Sequence, residues 1–161
     1  MASDGSALIG LWFDGQKHFA ETLNPNMKKI DLSLGSDGRS DDAVAAGRVF
    51  GAAKRWLEVY FSAREPGFLP PLAPVGTLFQ RSVWNALLTV PYGKTCSYAD
   101  IARSLGLPVG ASRACAQAIA RNPISLIIPC HRVIASSGHL TGYAGGIERK
   151  RALLELEKTA P

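Results

Sequence analysis

The chain has 161 residues, 47% hydrophobic and 19% charged, and its 18 Lys and Arg outnumber 13 Asp and Glu for a formal charge of +5. That length suits one domain, or two small ones sharing a core, and a chain near this size buries roughly 70% of its unfolded surface without staples. High apolar content with modest charge excludes disorder, and no apolar run approaches the ~20 residues of a membrane span. The start, MASDGSALIG, has no basic segment followed by a long apolar core, so no signal peptide is expected. Cys96, Cys115 and Cys130 form no CxxC pair. A disulfide framework or structural zinc site is therefore not expected, and a reducing, cytoplasmic or nucleoid-associated setting is. Residues 1–76 carry 8 Lys and Arg against 9 Asp and Glu, whereas residues 77–161 carry 10 against 4. The basic excess is thus C-terminal, which suits a polyanion through steering and counterion release, or simply a solubilising surface.

In chain order, ALIGLWF at residues 7–13 reads as a strand running into an Asp14-Gly15 turn. Residues 24–42 are rich in Asn, Ser, Asp and Gly and read as loop. Val49, Phe50, Ala53, Trp56, Leu57, Tyr60 and Phe61 recur at helical spacing, predicting a helix over 43–62 whose aromatic stripe faces a core. Four prolines in residues 64–76 prevent regular structure and mark a partly extended linker. Beyond it, Phe79, Val83, Trp84, Leu87 and Leu88 predict a helix that ends at Pro91-Tyr92-Gly93. Ser97-Tyr98-Ala99-Asp100 has capping-box spacing and opens a second helix, and a third spans 111–121 before Asn122-Pro123. Val133-Ile134 is a candidate strand, Gly142-Tyr143-Ala144-Gly145-Gly146 a loop, and residues 147–157 a last helix.

Two short helices around a glycine-containing turn at 97–121 make a helix-turn-helix candidate. Its second helix sets Ala114 and Ala118 one turn apart, beside Arg113, Gln117 and Arg121. Small side chains permit close approach and arginines reach phosphates, a face suited to the minor groove. On spacing alone, an ordinary helical hairpin whose alanines pack on a neighbour reads slightly better. The other constellation is Ile127-Ile128-Pro129-Cys130-His131-Arg132-Val133. A cysteine reacts as thiolate, and neighbouring cationic groups favour that form. Successive side chains on extended backbone point apart, so cooperation of Cys130 with His131 requires a turn or a water. A carboxylate would have to orient the imidazole, with Glu148, Glu155 and Glu157 as candidates. A buried structural cysteine is the plain alternative. Cys96 and Cys115 have no comparable setting and are assigned to packing.

Asn122-Pro123, then the segment 127–134, Ser137-Gly138 and Gly142-Tyr143-Ala144-Gly145-Gly146 together resemble the O6-alkylguanine-DNA alkyltransferases, also called methylated-DNA–protein-cysteine methyltransferases. The resemblance covers residues 79–157, with a weaker match over 8–61. It implies an α+β protein: an N-terminal α/β domain of ribonuclease H-like character (1–68), a linker (69–76), and a helical C-terminal domain (77–161) that binds DNA and accepts the alkyl group. It implies that Cys130 takes the alkyl group from O6-alkylguanine, or O4-alkylthymine, in duplex DNA and keeps it. His131 would deprotonate the thiol through a water, Glu157 orient His131, Asn122 hold the active-site turn, and Tyr98 donate to guanine N3. Arg113 would replace the extruded nucleotide, with Ala114, Gln117, Ala118 and Arg121 on the DNA-facing helix. Val133, Tyr143 and Ala144 would line the base pocket. No cofactor and no metal are implied, and the partner is DNA bound by a monomer.

This sequence departs from the family at several points. Some relatives have serine at the place of Ala144 and a second proline at the place of Ser125. Members usually begin with a hairpin carrying an SPLG-like segment, and MASDGSALIG lies past that point, so one or two first strands are expected to be missing. Two other readings are an alkylated-DNA sensor without transfer and a helix-turn-helix regulator with a cysteine switch. A cysteine hydrolase fits worst, because nothing marks an oxyanion hole.

Overall fold

The computed structural model describes residues 1–26 and 41–159. Most of the predicted 24–42 loop lies outside them. Strands β1 (Ala2–Ser3) and β2 (Leu8–Gly10) pair antiparallel. The Asp4 carboxylate closes the turn between them by accepting from the Ser6 and Ala7 amides. Helix α1 (Asp41–Phe61) follows, two residues longer at its start than its apolar spacing indicates. Its stripe of Val49, Ala53, Trp56 and Tyr60 is buried, as the helical period requires.

The proline-rich stretch is not a free linker. The Leu8 amide donates to the Pro71 carbonyl at 2.8 Å and the Ala73 amide to the Leu8 carbonyl at 2.9 Å. Leu72 thereby bridges β2 as a parallel neighbour. Prolines at 70, 71 and 74 leave the amides of Leu72 and Ala73 able to donate, and the one at Ala73 does.

The C-terminal half holds α2 (Leu78–Leu87), β3 (Cys96–Ser97), α3 (Tyr98–Ser104), α4 (Ser112–Ala120), a 3-10 turn at Cys130–Arg132, β4 (Val133–Ile134) and α5 (Ile147–Lys158). Both Thr77 and Ser97 make capping boxes, with Gln80 and Asp100 answering from the third helical position. Between α3 and α4, Gly106 takes φ 68°, a left-handed conformation that ends α3 at no Cβ penalty. Strands β3 and β4 pair parallel, Cys96 beside Val133 and Ser97 beside Ile134. Among the described residues, the sheets are thus two-stranded and the mass of the fold is helical.

Helix α4 departs from expectation in its register. Cys115, Ala118 and Ile119 are its buried stripe, and the Trp84 indole of α2 donates to the Ala118 carbonyl at 2.9 Å. Ala118 therefore belongs to the core: its small side chain admits Trp84 close to the α4 backbone. Arg113, Ala114, Gln117 and Arg121 remain exposed.

Candidate functional site

The site is built on a buried turn, residues 122–130, that both halves of the chain hold in place. From the N-terminal half, the Leu11 amide donates to the Pro123 carbonyl and the Ser125 amide to the Leu11 carbonyl, each at 2.8 Å. The Ser125 hydroxyl donates to Gln16 Oε1 at 3.0 Å. Leu126 sits at φ 70° and is buried, a costly conformation for a branched side chain that these bonds and the surrounding core enforce. Within the turn, Asn122 Nδ2 donates to the Ile124 and Ile128 carbonyls and, at 3.1 Å, to Cys130 Sγ. Asn122 also accepts from the Ile124 amide at 3.0 Å. One buried amide thus closes the turn and touches the thiol.

Cys130 opens the 3-10 turn, 6% exposed. Burial pushes its thiol up, while the Asn122 hydrogen bond, the charge of Lys150 and the backbone N–H groups of Cys130 and His131 pull it back. Among the described residues, no hydrogen bond joins the Cys130 thiol to the His131 ring. His131 is fully buried, and its Nε2 lies 2.7 Å from Glu157 Oε1. Burial lowers the imidazole below its usual range despite the carboxylate, so it is neutral at pH 7. Glu157 tends upward by burial, but hydrogen bonds from His131 and Arg132 outweigh this and hold it at about 2. An ionised carboxylate only accepts, so the single imidazole proton sits on Nε2 and Nδ1 carries the lone pair. Nδ1 is buried and makes no hydrogen bond to any described residue.

Three neighbours of this site were given no role in it by sequence. Arg132 donates to Glu157 from Nε at 3.0 Å and from Nη2 at 3.1 Å, and from Nη1 to the Val90 carbonyl at 2.7 Å. Tyr60 on α1 donates to Glu157 Oε1 at 2.8 Å. Lys150 on α5 is fully buried, donating to the Val133 carbonyl at 2.6 Å and the Thr141 carbonyl at 2.9 Å. Arg132 and Lys150 stood in a recognised segment and a predicted helix, and Tyr60 in an apolar stripe. Only the chain's path brings all three to one place. Gly93 is the fourth addition: at φ 69°, it turns its amide onto Glu157 Oε2 at 3.0 Å. Of the three candidate carboxylates, Glu148 and Glu155 are exposed and Glu157 alone is buried at the imidazole.

An open cleft of about 390 Å³ lies between the halves, lined by Tyr98, Tyr143 and Ala144 but not by Val133 or Cys130. Ala116 and Ala120 of α4 line it too, so the alanines one turn apart that face the cleft are not the pair marked by sequence. Lys17 and His18, from the loop after β2, complete the opposite wall, and the Lys17 amide donates to the Ala144 carbonyl at 2.9 Å. The Tyr98 hydroxyl accepts from Thr141 at 3.4 Å. Burial, and after it the neighbouring Cys130, push the Tyr143 hydroxyl well above its ordinary value, and the Tyr143 ring meets Phe13 edge-on at 6.5 Å. Arg113 and Arg121 stand exposed on α4, and Arg121 is 3.7 Å from Glu21. No cluster of metal-ligating side chains occurs among the described residues.

A buried thiol on a tight turn, a neutral imidazole fixed in one tautomer and a locked carboxylate are the groups a cysteine nucleophile would need. Residues 78–159 match the family model for the 6-O-methylguanine DNA methyltransferase DNA-binding domain. A methylated-DNA–protein-cysteine methyltransferase of Mycobacterium tuberculosis is 56% identical over 110 residues, covering 68% of this chain and 66% of the relative. One from Methanosarcina acetivorans is 51% identical over 117 residues, covering 73% of this chain and 74% of the relative. The match thus spans just under two thirds of the mycobacterial relative's length. Among solved structures, M. tuberculosis OGT in complex with DNA superposes with a TM-score of 0.80 at 43% identity, over 99% of this chain and 85% of that one. The chain belongs to the methylated-DNA–protein-cysteine methyltransferases, a family of DNA-binding repair proteins.

Proposed function

We propose that this protein repairs DNA by moving the alkyl group from O6 of guanine, or O4 of thymine, in duplex DNA to Cys130 Sγ, once per molecule. The carrying observation is the relay itself: Nε2 of His131 is committed to Glu157 at 2.7 Å, which leaves a buried Nδ1 as the base. His131 takes the thiol proton through a water, and Glu157 stabilises the imidazolium that forms. The thiolate attacks the alkyl carbon, an S–C bond forms, and the C–O6 bond breaks with its electron pair passing into the guanine ring. Tyr98 donates to N3 as negative charge develops on the departing base, which takes up one proton from water, while the imidazolium returns the thiol proton to water. No step requires a metal or cofactor.

The DNA reading rests on the basic C-terminal half and on α4. Helices α3 and α4 act as a helix-turn-helix whose exposed Arg113, Ala114, Gln117 and Arg121 meet the minor groove. A lesion inside the stack must be flipped out, and Arg113 fills the gap it leaves. The base enters by the cleft of Tyr98, Tyr143 and Ala144 and reaches past its lining to the buried Val133 carbonyl, which accepts from its amine. That carbonyl also accepts from Lys150, and its two lone pairs allow both. The N-terminal half, with its strands and α1, is read as the ribonuclease H-like domain (1–68), joined through 69–76 to the DNA-binding domain (77–161). The protein acts as a monomer in a reducing compartment.

Incubation with a duplex containing O6-methylguanine, followed by intact-mass measurement, tests the reading. The mass of the protein rises by one methylene in the wild type and stays unchanged in Cys130→Ala. No rise, or a rise that survives the substitution, overturns it; tight binding without transfer would make the protein a lesion sensor.

A further inference from the structure

We infer that Tyr60, delivered from the N-terminal half, is a positioning residue for alkyl transfer, its hydroxyl holding the His131–Glu157 pair in the geometry that leaves Nδ1 free as base. The inference rests on the alkyl-transfer reading above. Tyr60 is completely buried. Its ring stacks on Trp56 at 5.2 Å and meets His131 edge-on at 6.2 Å and Tyr92 at 5.9 Å. The hydroxyl oxygen is 2.8 Å from Glu157 Oε1 and 3.2 Å from His131 Nε2.

A phenol has one proton to give, and the ionised carboxylate can only accept it. The Tyr60 proton therefore goes to Oε1, and the lone pairs of its oxygen face Nε2. The Nε2 proton is then held between two acceptors, the carboxylate at 2.7 Å and the phenol oxygen at 3.2 Å. Both acceptors demand the same tautomer. Other charged and titratable groups around the pair cannot replace this contact. Arg132 donates to Glu157 but a guanidinium accepts nothing, so it cannot hold an N–H. Tyr92 makes no hydrogen bond through its hydroxyl to any described residue, its ring lying 5.4 Å from the Arg132 guanidinium. Lys150 acts on the imidazole as a repelling charge only, and the Cys130 thiol makes no hydrogen bond to the ring.

The hydroxyl also draws charge from Oε1. Without it, the carboxylate would hold the imidazolium more strongly, and His131 would become protonated at higher pH, losing the lone pair that Nδ1 needs. Tyr60 thus keeps a base competent, through a residue more than seventy positions away in the chain.

Tyr60→Phe removes the oxygen and keeps the ring. The expected result is a plateau alkylation rate lower by roughly tenfold, the scale on which a loosened orienting contact is felt. The acid limb of the rate–pH profile moves up by about one unit. The titration midpoint of the His131 ring, read by nitrogen NMR on unalkylated protein, moves the same way. 3-Fluorotyrosine at position 60 is a stronger donor of nearly the same shape and moves the midpoint down. Trp56→Phe, which loosens the stack and spares the hydroxyl, lowers thermal stability without moving either midpoint. Superimposable His131 titrations in the wild type and both position-60 variants would overturn the role of Tyr60, as would a Trp56→Phe shift equal to that of Tyr60→Phe. If the wild type fails to alkylate while the NMR midpoints move as stated, the alkyl-transfer reading falls and the positioning contact stands.

Discussion

Five N–H and O–H donors converge on the Glu157 carboxylate, from Tyr60, Gly93, His131 and twice from Arg132. Glu157→Gln puts an amide donor where at least one of these donors now points, and it removes the charge that stabilises an imidazolium. Alkylation of an O6-methylguanine duplex should slow by about 10²-fold, within the usual range for a general base. Its rate–pH profile should move alkaline on the thiol side, because Cys130 becomes harder to ionise. His131 should titrate lower, opposite to its response in Tyr60→Phe. An unchanged profile would count against the relay. Asn122 was singled out only by the resemblance, whereas sequence marked Cys130 and His131 because they sit in one contiguous, distinctive segment. It left three carboxylates open on spacing, and only the resemblance singled out Glu157. Tyr60 could not be found that way, since a tyrosine in an amphipathic stripe looks like any core aromatic.

Helices show the same division between what spacing reveals and what packing decides. Capping boxes at Thr77 and Ser97 are local, requiring only residues three apart, and that at Ser97 was legible outright. Thr77→Ala removes the side chain that accepts from the Gln80 amide, and should cost about 1 kcal/mol. For a chain this long, thermal denaturation should show that as a fall of roughly 2–4 °C in Tm, with the alkylation rate unchanged. Helix α4 was harder. Its alanines lie all round it, so period alone could not tell which face the core takes. Trp84 settled the matter by docking on the Ala118 backbone. The exposed Arg113 remains the residue expected to enter the duplex. Arg113→Ala should retain transfer from free O6-alkylguanine base while losing most activity on duplex DNA; equal losses on both substrates would remove the flipping role.

Across the whole molecule, buried titratable groups set a window of stability. His131 stays neutral in the fold but charges near 6.5 when unfolded, so the unfolded state binds more protons below that pH. Glu157, ordinarily near 4.5 and held at about 2, adds a second loss between those values. On the alkaline side, the Cys130 thiol is raised above its ordinary 9.0, so the unfolded chain loses its proton first. Stability should therefore be greatest between about pH 6.5 and 9, falling in two stages on acidification. Measuring Tm from pH 8 to pH 3 checks this, and a flat profile between pH 7 and 5 would contradict a buried neutral His131. Glu157→Gln should shrink the second stage, leaving the smaller part owed to Asp100, which is also held at about 2, and should keep the first.

By itself, the sequence determined which segments are helical, where the basic charge lies, and which contiguous residues flank the candidate thiol. These are properties of neighbours in the chain, set by period, capping and local residue types. Tertiary structure decided the rest: the buried face of α4, the pairing of residues 71–73 with β2, and the groups from α1, α5 and the Gly93 turn that enclose Glu157. Such contacts join residues far apart in sequence, and burial then fixes their protonation by removing water. No local pattern encodes that.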